Sequence, residues 1–152
     1  MVSKQEINNL LRENPPRVNL LRFLQNQHWV KERRKDGRFP NCSGTVLFIL
    51  SEDFSALPKY VPPEFLAKFI EESGWVESRR NGSILWLRAD KRENDHFAIY
   101  LGQINGRDII FHQPNYGDGI TFGICDLSED RKWGYEVKFY SAPDFIKNYN
   151  KV

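Results

Sequence analysis

Residues 96–113 read HFAIYLGQINGRDIIFHQ. Aromatic and β-branched residues dominate both halves of this stretch, and Asn105-Gly106 between them is typical of a tight hairpin turn. The pattern predicts a strand over residues 96–101 and a returning strand over residues 108–113. Further strand candidates lie on either side, at residues 75–79, 83–88, 121–125 and 135–140.

Helical signals precede these strands. Ser3 and Glu6 form a capping box at the start of a first helix, which ends before Pro15, and a second helix follows. The apolar run Cys42–Leu50 indicates a short buried helix, although its residue types also suit a strand. Residues 64–73 form a clearer helical stripe. Helices first and strands afterwards predict an α+β fold, with N-terminal helices packed on an antiparallel sheet of about five or six strands.

The composition is that of one globular domain. The chain has 152 residues, of which 40% are hydrophobic, 14% aromatic and 28% charged, enough for a sizeable core. No apolar run approaches the length of a membrane span, and a net charge of +2 is too small to indicate nucleic-acid binding. Two cysteines do not make a disulfide framework, and the first residues lack a secretory signal. We therefore expect a cytoplasmic protein, unless a signal-independent secretion system exports it.

Positive charge is concentrated in residues 31–38, where five basic residues stand against two acidic ones. A solvated basic loop is the ordinary interpretation of such a run. The alternative is that the loop attracts an anionic substrate to whatever site lies beside it.

Cys42 is placed where a thiol can become a nucleophile. It follows a loop containing glycine and proline, and it begins the apolar run Cys42–Leu50. The N-terminus of a helix lowers the pKa of a thiol through its unpaired N–H groups and its macrodipole. The next residues, Ser43 and Gly44, are small enough for a substrate carbonyl to approach the backbone, and the N–H of Cys42 would stabilise an oxyanion.

His96 is the candidate base because it begins a predicted strand beside a charged loop. A third group must hold the second ring nitrogen of this histidine. The hairpin brings His112 and Gln113 level with the start of the strand, but the sequence does not fix the register. His112, Gln113 and Asp95 are the candidates for the third role. Taken singly, Cys42 and His96 are more often packing residues than catalytic ones.

These residues resemble, in order, the motifs of the NlpC-type cell-wall cysteine peptidases. The family's nucleophile lies in an Asp-Cys-Ser-Gly motif that begins a helix, and residues 41–44 here are Asn-Cys-Ser-Gly. An apolar strand follows, matched by residues 82–87, and then a His-Val-Gly-Ile-Tyr-Leu-Gly-like strand, matched by HFAIYLG at residues 96–102. His112 matches the family's third polar residue. Asn41 and Ser83 stand where the family usually has Asp.

The resemblance implies a papain-like fold over a single domain, residues 1–152, with a helical N-terminal part (1–40) and a catalytic core (41–142). It implies Cys42, His96 and His112 as catalytic residues, and neither a cofactor nor a metal. Metal binding is also not indicated by the histidine spacing, and there is no Cys-x-x-Cys pair.

The function expected from the resemblance is hydrolysis of an amide bond in a peptidoglycan stem peptide through a thioester. Without a signal, such an enzyme suggests an injected bacterial effector that travels with an immunity protein. Two alternatives stay open: a protein glutamine deamidase or transglutaminase-like effector, which uses the same thiol chemistry, and a non-catalytic binding module in which Cys42 and His96 only pack.

Overall fold

A computed structural model of the chain describes residues 3–13, 18–51, 56–80, 82–113, 123–127 and 136–141. Helices occupy the first half of the chain and strands the second. The α-helices are α1 (Lys4–Glu13), α2 (Val18–Gln25), α3 (Cys42–Leu50) and α4 (Pro63–Glu72), with short 3-10 turns at Gln27–Lys31 and Arg92–Asn94. No helix among these described residues is long and apolar enough to cross a membrane.

The second half of the chain forms a six-stranded antiparallel sheet. The strands are β1 (Val76–Glu77), β2 (Ile84–Arg88), β3 (His96–Ile104), β4 (Arg107–His112), β5 (Gly123–Asp126) and β6 (Glu136–Ser141). Their order across the sheet is β1-β6-β2-β3-β4-β5. The α+β class and the antiparallel sheet are therefore confirmed. The last strand lies between β1 and β2, which the sequence did not predict.

The helices begin where the capping residues predict. Ser3 Oγ accepts a hydrogen bond from the N–H of Glu6 at 3.1 Å, and the Glu6 carboxylate accepts one from the N–H of Ser3 at 3.2 Å. This reciprocal pair is the capping box expected from the sequence. The run Cys42–Leu50 is a helix rather than a strand, and every residue in it is buried.

The sheet has two differently packed faces. Phe97, Ile99 and Leu101 of β3 belong to the main core, together with buried residues of all four helices. Ala98 and Tyr100, the alternate residues, pack on the opposite face in a second cluster. Because successive side chains of a strand point to opposite faces, His96 lies on the face of Ala98 and not on the helix-covered face.

A bulge near Leu101 sets the register of the hairpin. Asn105 and Gly106 have φ of 51° and 77°, as the turn type predicted from this dipeptide requires. Starting at the turn, β3 and β4 keep one pairing register as far as Gly102, and the register shifts between Gly102 and Tyr100. Without that shift His112 would lie opposite Ile99, which faces the helices. With it His112 lies opposite Ala98, and so it shares a face with His96.

Candidate active site

Cys42 is the first residue of α3, and Asn41 caps the helix in front of it. The Asn41 side chain accepts a hydrogen bond from the N–H of Gly44 at 3.0 Å, and its carbonyl accepts one from the N–H of Thr45 at 2.9 Å. Asparagine is among the preferred residues for this position because its side-chain oxygen satisfies an N–H that has no partner within the helix. The cap fixes where the helix begins and therefore where the thiol lies.

The same Asn41 side chain also binds a second segment of the chain. Its Oδ1 accepts from the N–H of Val61 at 3.0 Å, and its Nδ2 donates to the carbonyl of Val61 at 2.6 Å. Next to this contact the carbonyl of Lys59 lies so close to Gly44 that a Cβ on Gly44 would be 1.6 Å from the Lys59 oxygen. The space beside Gly44, expected to admit a substrate carbonyl, is therefore filled by the protein's own backbone.

The sulfur of Cys42 is almost sealed from solvent, with the residue only 6% exposed. It lies 3.8 Å from the hydroxyl of Ser43, and the backbone N–H of Phe97 lies near enough to lower the pKa of the thiol. That N–H belongs to the peptide unit that joins His96 to Phe97. The structure thus places the thiol against the first peptide of β3, at the end of the strand where His96 lies.

Burial raises the pKa of the Cys42 thiol above its ordinary value, and the hydrogen bonds from Phe97 and Ser43 offset this effect only in part. The sequence predicted the opposite direction, from the position at a helix N-terminus. That prediction is wrong for this conformation because loss of hydration disfavours the thiolate more than the helix end and the N–H donors favour it. The thiol is therefore neutral here.

His96 and His112 form a pair on the face of the sheet opposite the helices. His96 Nε2 and His112 Nδ1 are 3.1 Å apart, within hydrogen-bonding distance. Their ring centroids are 5.3 Å apart and the rings are perpendicular. The pair is diagonal across two strands, because His112 lies opposite Ala98, two residues beyond His96.

The two alternatives for the third residue have other partners. Asp95 is buried, and its carboxylate accepts from the indole N–H of Trp86 at 2.8 Å and from the N–H of Ala89 at 2.7 Å. Gln113 is buried on the opposite face, where it hydrogen bonds to Thr45 and to the carbonyl of Pro40. Of the three candidates, His112 is the one with a ring nitrogen at hydrogen-bonding distance from His96.

The basic loop at residues 31–38 presents only part of its charge to solvent. The guanidinium of Arg34 turns inward, donating to the carbonyls of Pro58 at 2.6 Å and Trp29 at 3.0 Å. Arg33 lies over the ring of Phe39, at 4.7 Å, and Arg38 over the ring of Tyr60, at 4.8 Å. Both of these guanidinium groups belong to exposed residues, and the loop leads directly into Asn41 and Cys42.

Sequence reasoning missed the segment at residues 59–61 and the role of Thr45. Pro58 and Pro62 flank that segment and mark it as a loop, but nothing in its residues predicts that it docks on the start of α3. Thr45 lies within the apolar run Cys42–Leu50, and the sequence gives it no separate role. The polar atoms of Asn41 and Thr45, both within a buried run, were the signal that these residues needed specific partners.

Comparison with protein-family models, with curated proteins and with solved structures found no match for this chain. Among the residues that the structure describes, no group of three or more histidine, cysteine, aspartate or glutamate side chains could hold a metal ion.

Proposed function

We propose that the chain is a papain-like cysteine hydrolase that cleaves an amide bond, with Cys42 as nucleophile, His96 as general base and His112 as the residue that orients His96. The observation that carries the proposal is that the Cys42 sulfur lies beside the backbone N–H of Phe97, in the peptide that joins Phe97 to His96. It brings a helix-end thiol to the end of β3 where a histidine pair is already formed. A thiol is activated when a base that a third group orients can take its proton. Because His96 lies on the sheet face opposite the helices, the proposal requires its ring to reach the sulfur around the end of β3.

The His96–His112 bond assigns the ring nitrogens their tasks. Since Nε2 of His96 faces His112, the nitrogen that takes the proton from the thiol is Nδ1. A neutral His96 acts as a base at Nδ1 only when its proton is on Nε2, so His112 must accept through Nδ1. A hydrogen bond from His96 Nε2–H to His112 Nδ1 selects the tautomer of His96 whose Nδ1 is free to take a proton. It also stabilises the imidazolium that forms when His96 takes the second proton.

The reaction follows from these assignments. Because the thiol is neutral at rest, His96 removes its proton as the sulfur attacks the amide carbonyl. The N–H of Cys42 is the backbone donor nearest the attacking sulfur and would stabilise the oxyanion. The S–C bond forms, the C–N bond breaks, and His96 returns its proton to the leaving amine. Water then hydrolyses the thioester with His96 again as base.

A peptidoglycan stem peptide is the substrate that the motif resemblance favours, and the basic loop adds support for an acidic one. Arg33 and Arg38 present exposed guanidinium groups on the loop that leads into Cys42. Reversing both charges, with Arg33→Glu and Arg38→Glu, should weaken substrate affinity at low salt and have less effect at high salt. If affinity at low salt does not change, the loop has no part in binding. An injected enzyme of this kind would need an immunity partner.

The direct test is incubation of the purified protein with muropeptides, with detection of new free amines by mass spectrometry. We expect cleavage by the wild type and none by Cys42→Ala. In parallel, glutamine-containing proteins should be assayed for ammonia release. Release of ammonia without muropeptide cleavage would show that the protein is a glutamine deamidase that uses the same thiol, and not a peptidoglycan hydrolase. Equal muropeptide cleavage by wild type and Cys42→Ala would overturn the proposal.

A second candidate, a non-catalytic binding module, is favoured by the burial of the thiol and by its raised pKa. A packing cysteine would resist alkylation until the chain unfolds. Alkylation of Cys42 in the folded protein therefore separates the two candidates.

A further inference from the structure

Gln113 connects the two parts of the site through a buried side chain. It follows His112 directly at the end of β4 and is only 1% exposed. Its Oε1 accepts a hydrogen bond from the hydroxyl of Thr45, and its Nε2 donates to the carbonyl of Pro40 at 3.0 Å. Both ends of the amide are therefore engaged, and both partners belong to the segment that holds the nucleophile.

The two partners bracket Cys42. Pro40 lies two residues before it, and Thr45 lies three residues after it, about one helical turn further along α3. Because neighbouring residues of a strand point to opposite faces, Gln113 reaches α3 while His112 reaches His96 on the other face. One short piece of backbone thus ties the start of the nucleophile's helix to the histidine pair.

We propose that Gln113 is a positioning residue that fixes the Cys42 sulfur relative to His96 and His112. This inference rests on the proposed function and deepens it. The amide suits the task because the site needs one acceptor, for the Thr45 hydroxyl, and one donor, for the Pro40 carbonyl. Neither a carboxylate nor an apolar side chain of the same length supplies both. A misplacement of about 1 Å between reacting groups can lower a rate by about 100-fold.

The experiment measures the rate at which iodoacetamide alkylates Cys42 in the folded protein at pH 7, read from the mass of the Cys42 peptide. The variants are Gln113→Met, which keeps the side-chain length without hydrogen bonds, and Thr45→Val, which removes only the hydroxyl. Thr45→Ser keeps the hydroxyl and is the matched control. His96→Ala is measured alone and together with Gln113→Met. Circular dichroism establishes that each variant is folded.

We expect Gln113→Met and Thr45→Val to label at least about tenfold more slowly than the wild type, and Thr45→Ser to retain most of the rate. We also expect His96→Ala to slow the wild type strongly but to slow Gln113→Met little further, because the base is already out of position. A purely structural role would not produce this loss of dependence on His96.

Two results would overturn the inference, and they are distinguishable. If His96→Ala alone labels as fast as the wild type, His96 does not activate the thiol, and the proposed function fails together with the inference. If His96→Ala is slow but Gln113→Met and Thr45→Val label like the wild type or faster, only the role of Gln113 fails. The role of Gln113 would also be refuted if the double variant slowed alkylation by the product of the two single effects, because His96 and Gln113 would then act independently.

Discussion

Replacing Gly44 by alanine is expected to push the segment at residues 59–61 away from the start of α3. The new Cβ would be 1.6 Å from the oxygen of Lys59 and 2.8 Å from its carbonyl carbon. The oxygen must retreat by about 1.4 Å to reach even 3.0 Å, the lower limit for real Cβ contacts. Since both atoms are backbone, a side-chain rotation cannot relieve the overlap.

The cost follows from overpacking and from the hydrogen bonds beside Gly44. Overpacking a buried site costs about 1–3 kcal/mol, and disturbing one of the two Asn41–Val61 hydrogen bonds adds about 1 kcal/mol. We therefore expect Gly44→Ala to lower the free energy of unfolding by about 2–4 kcal/mol, equivalent to roughly 4–16 °C in Tm for a chain of this size.

The assay combines thermal unfolding with the alkylation rate of Cys42. Gly106→Ala is the control, because nothing lies within 4 Å of a Cβ at Gly106 and only its φ of +77° is unfavourable. That variant should lose about 1–3 kcal/mol and label at the wild-type rate. Gly44→Ala should lose about 2–4 kcal/mol and, unlike the control, change its labelling rate. If Gly44→Ala melts at the wild-type temperature, Lys59 does not lie against Gly44 and the reasoning is refuted.

Three further predictions concern the cap, the histidine pair and the thiol. Asn41→Asp removes the donor to the Val61 carbonyl at 2.6 Å. Thermal unfolding should show a loss of about 1–3 kcal/mol, and an unchanged Tm would contradict this. His112→Ala removes the acceptor 3.1 Å from His96 and should slow turnover roughly 10- to 100-fold, since a hydrogen bond to a charged group contributes about 1.5–3 kcal/mol. His112→Asn, whose Oδ1 can accept the hydrogen bond from His96, should recover part of the lost rate in the same kinetic assay. Equal rates for the wild type, His112→Ala and His112→Asn would exclude His112 from catalysis. Because burial raises the pKa of Cys42 above its ordinary value of 9.0, the folded state binds the thiol proton more tightly than the unfolded chain does. The protonated thiol should therefore contribute fully to the free energy of unfolding below pH 9, and this contribution should be lost as the pH rises further. Denaturant titrations at several pH values should show this loss in the wild type and not in Cys42→Ala.

Local signals in the sequence were sufficient for the first helix and for the hairpin. The Ser3–Glu6 capping box and the Asn105-Gly106 turn depend on residues close together in the chain, so their chemistry is readable from the sequence. The apolar run at Cys42–Leu50 was ambiguous by residue type, and the structure resolves it as a helix capped by Asn41.

Long-range features were not predictable in the same way. The bulge near Leu101 decides whether His112 faces His96 or the helices, because a shift of one residue moves a side chain to the other face of the sheet. Gly102 lies at this shift with φ of 134°, and a glycine within a strand is a known signal of a bulge, but its type alone does not give the resulting register. The place of β6 between β1 and β2 likewise depends on the packing of the whole sheet.

The contact between His96 and His112 agrees with the sequence prediction, but the direction in which the pKa of Cys42 shifts does not. A helix N-terminus lowers the pKa of an exposed thiol, whereas Cys42 is buried, and the depth of burial depends on the docking of distant segments. The contacts of Gln113 with Thr45 and Pro40 join residues about 70 positions apart. Such contacts follow from the tertiary fold and leave no periodic pattern in the sequence.

The most direct test of the account is the rate of Cys42 alkylation in the folded wild type, compared with the rate in folded His96→Ala at the same pH. If His96 takes the proton from the thiol, its removal should slow the reaction by about 100-fold or more at pH 7. Equal rates in the two proteins, or labelling of both only after unfolding, would show that Cys42 and His96 are packing residues and that the chain is not a cysteine hydrolase.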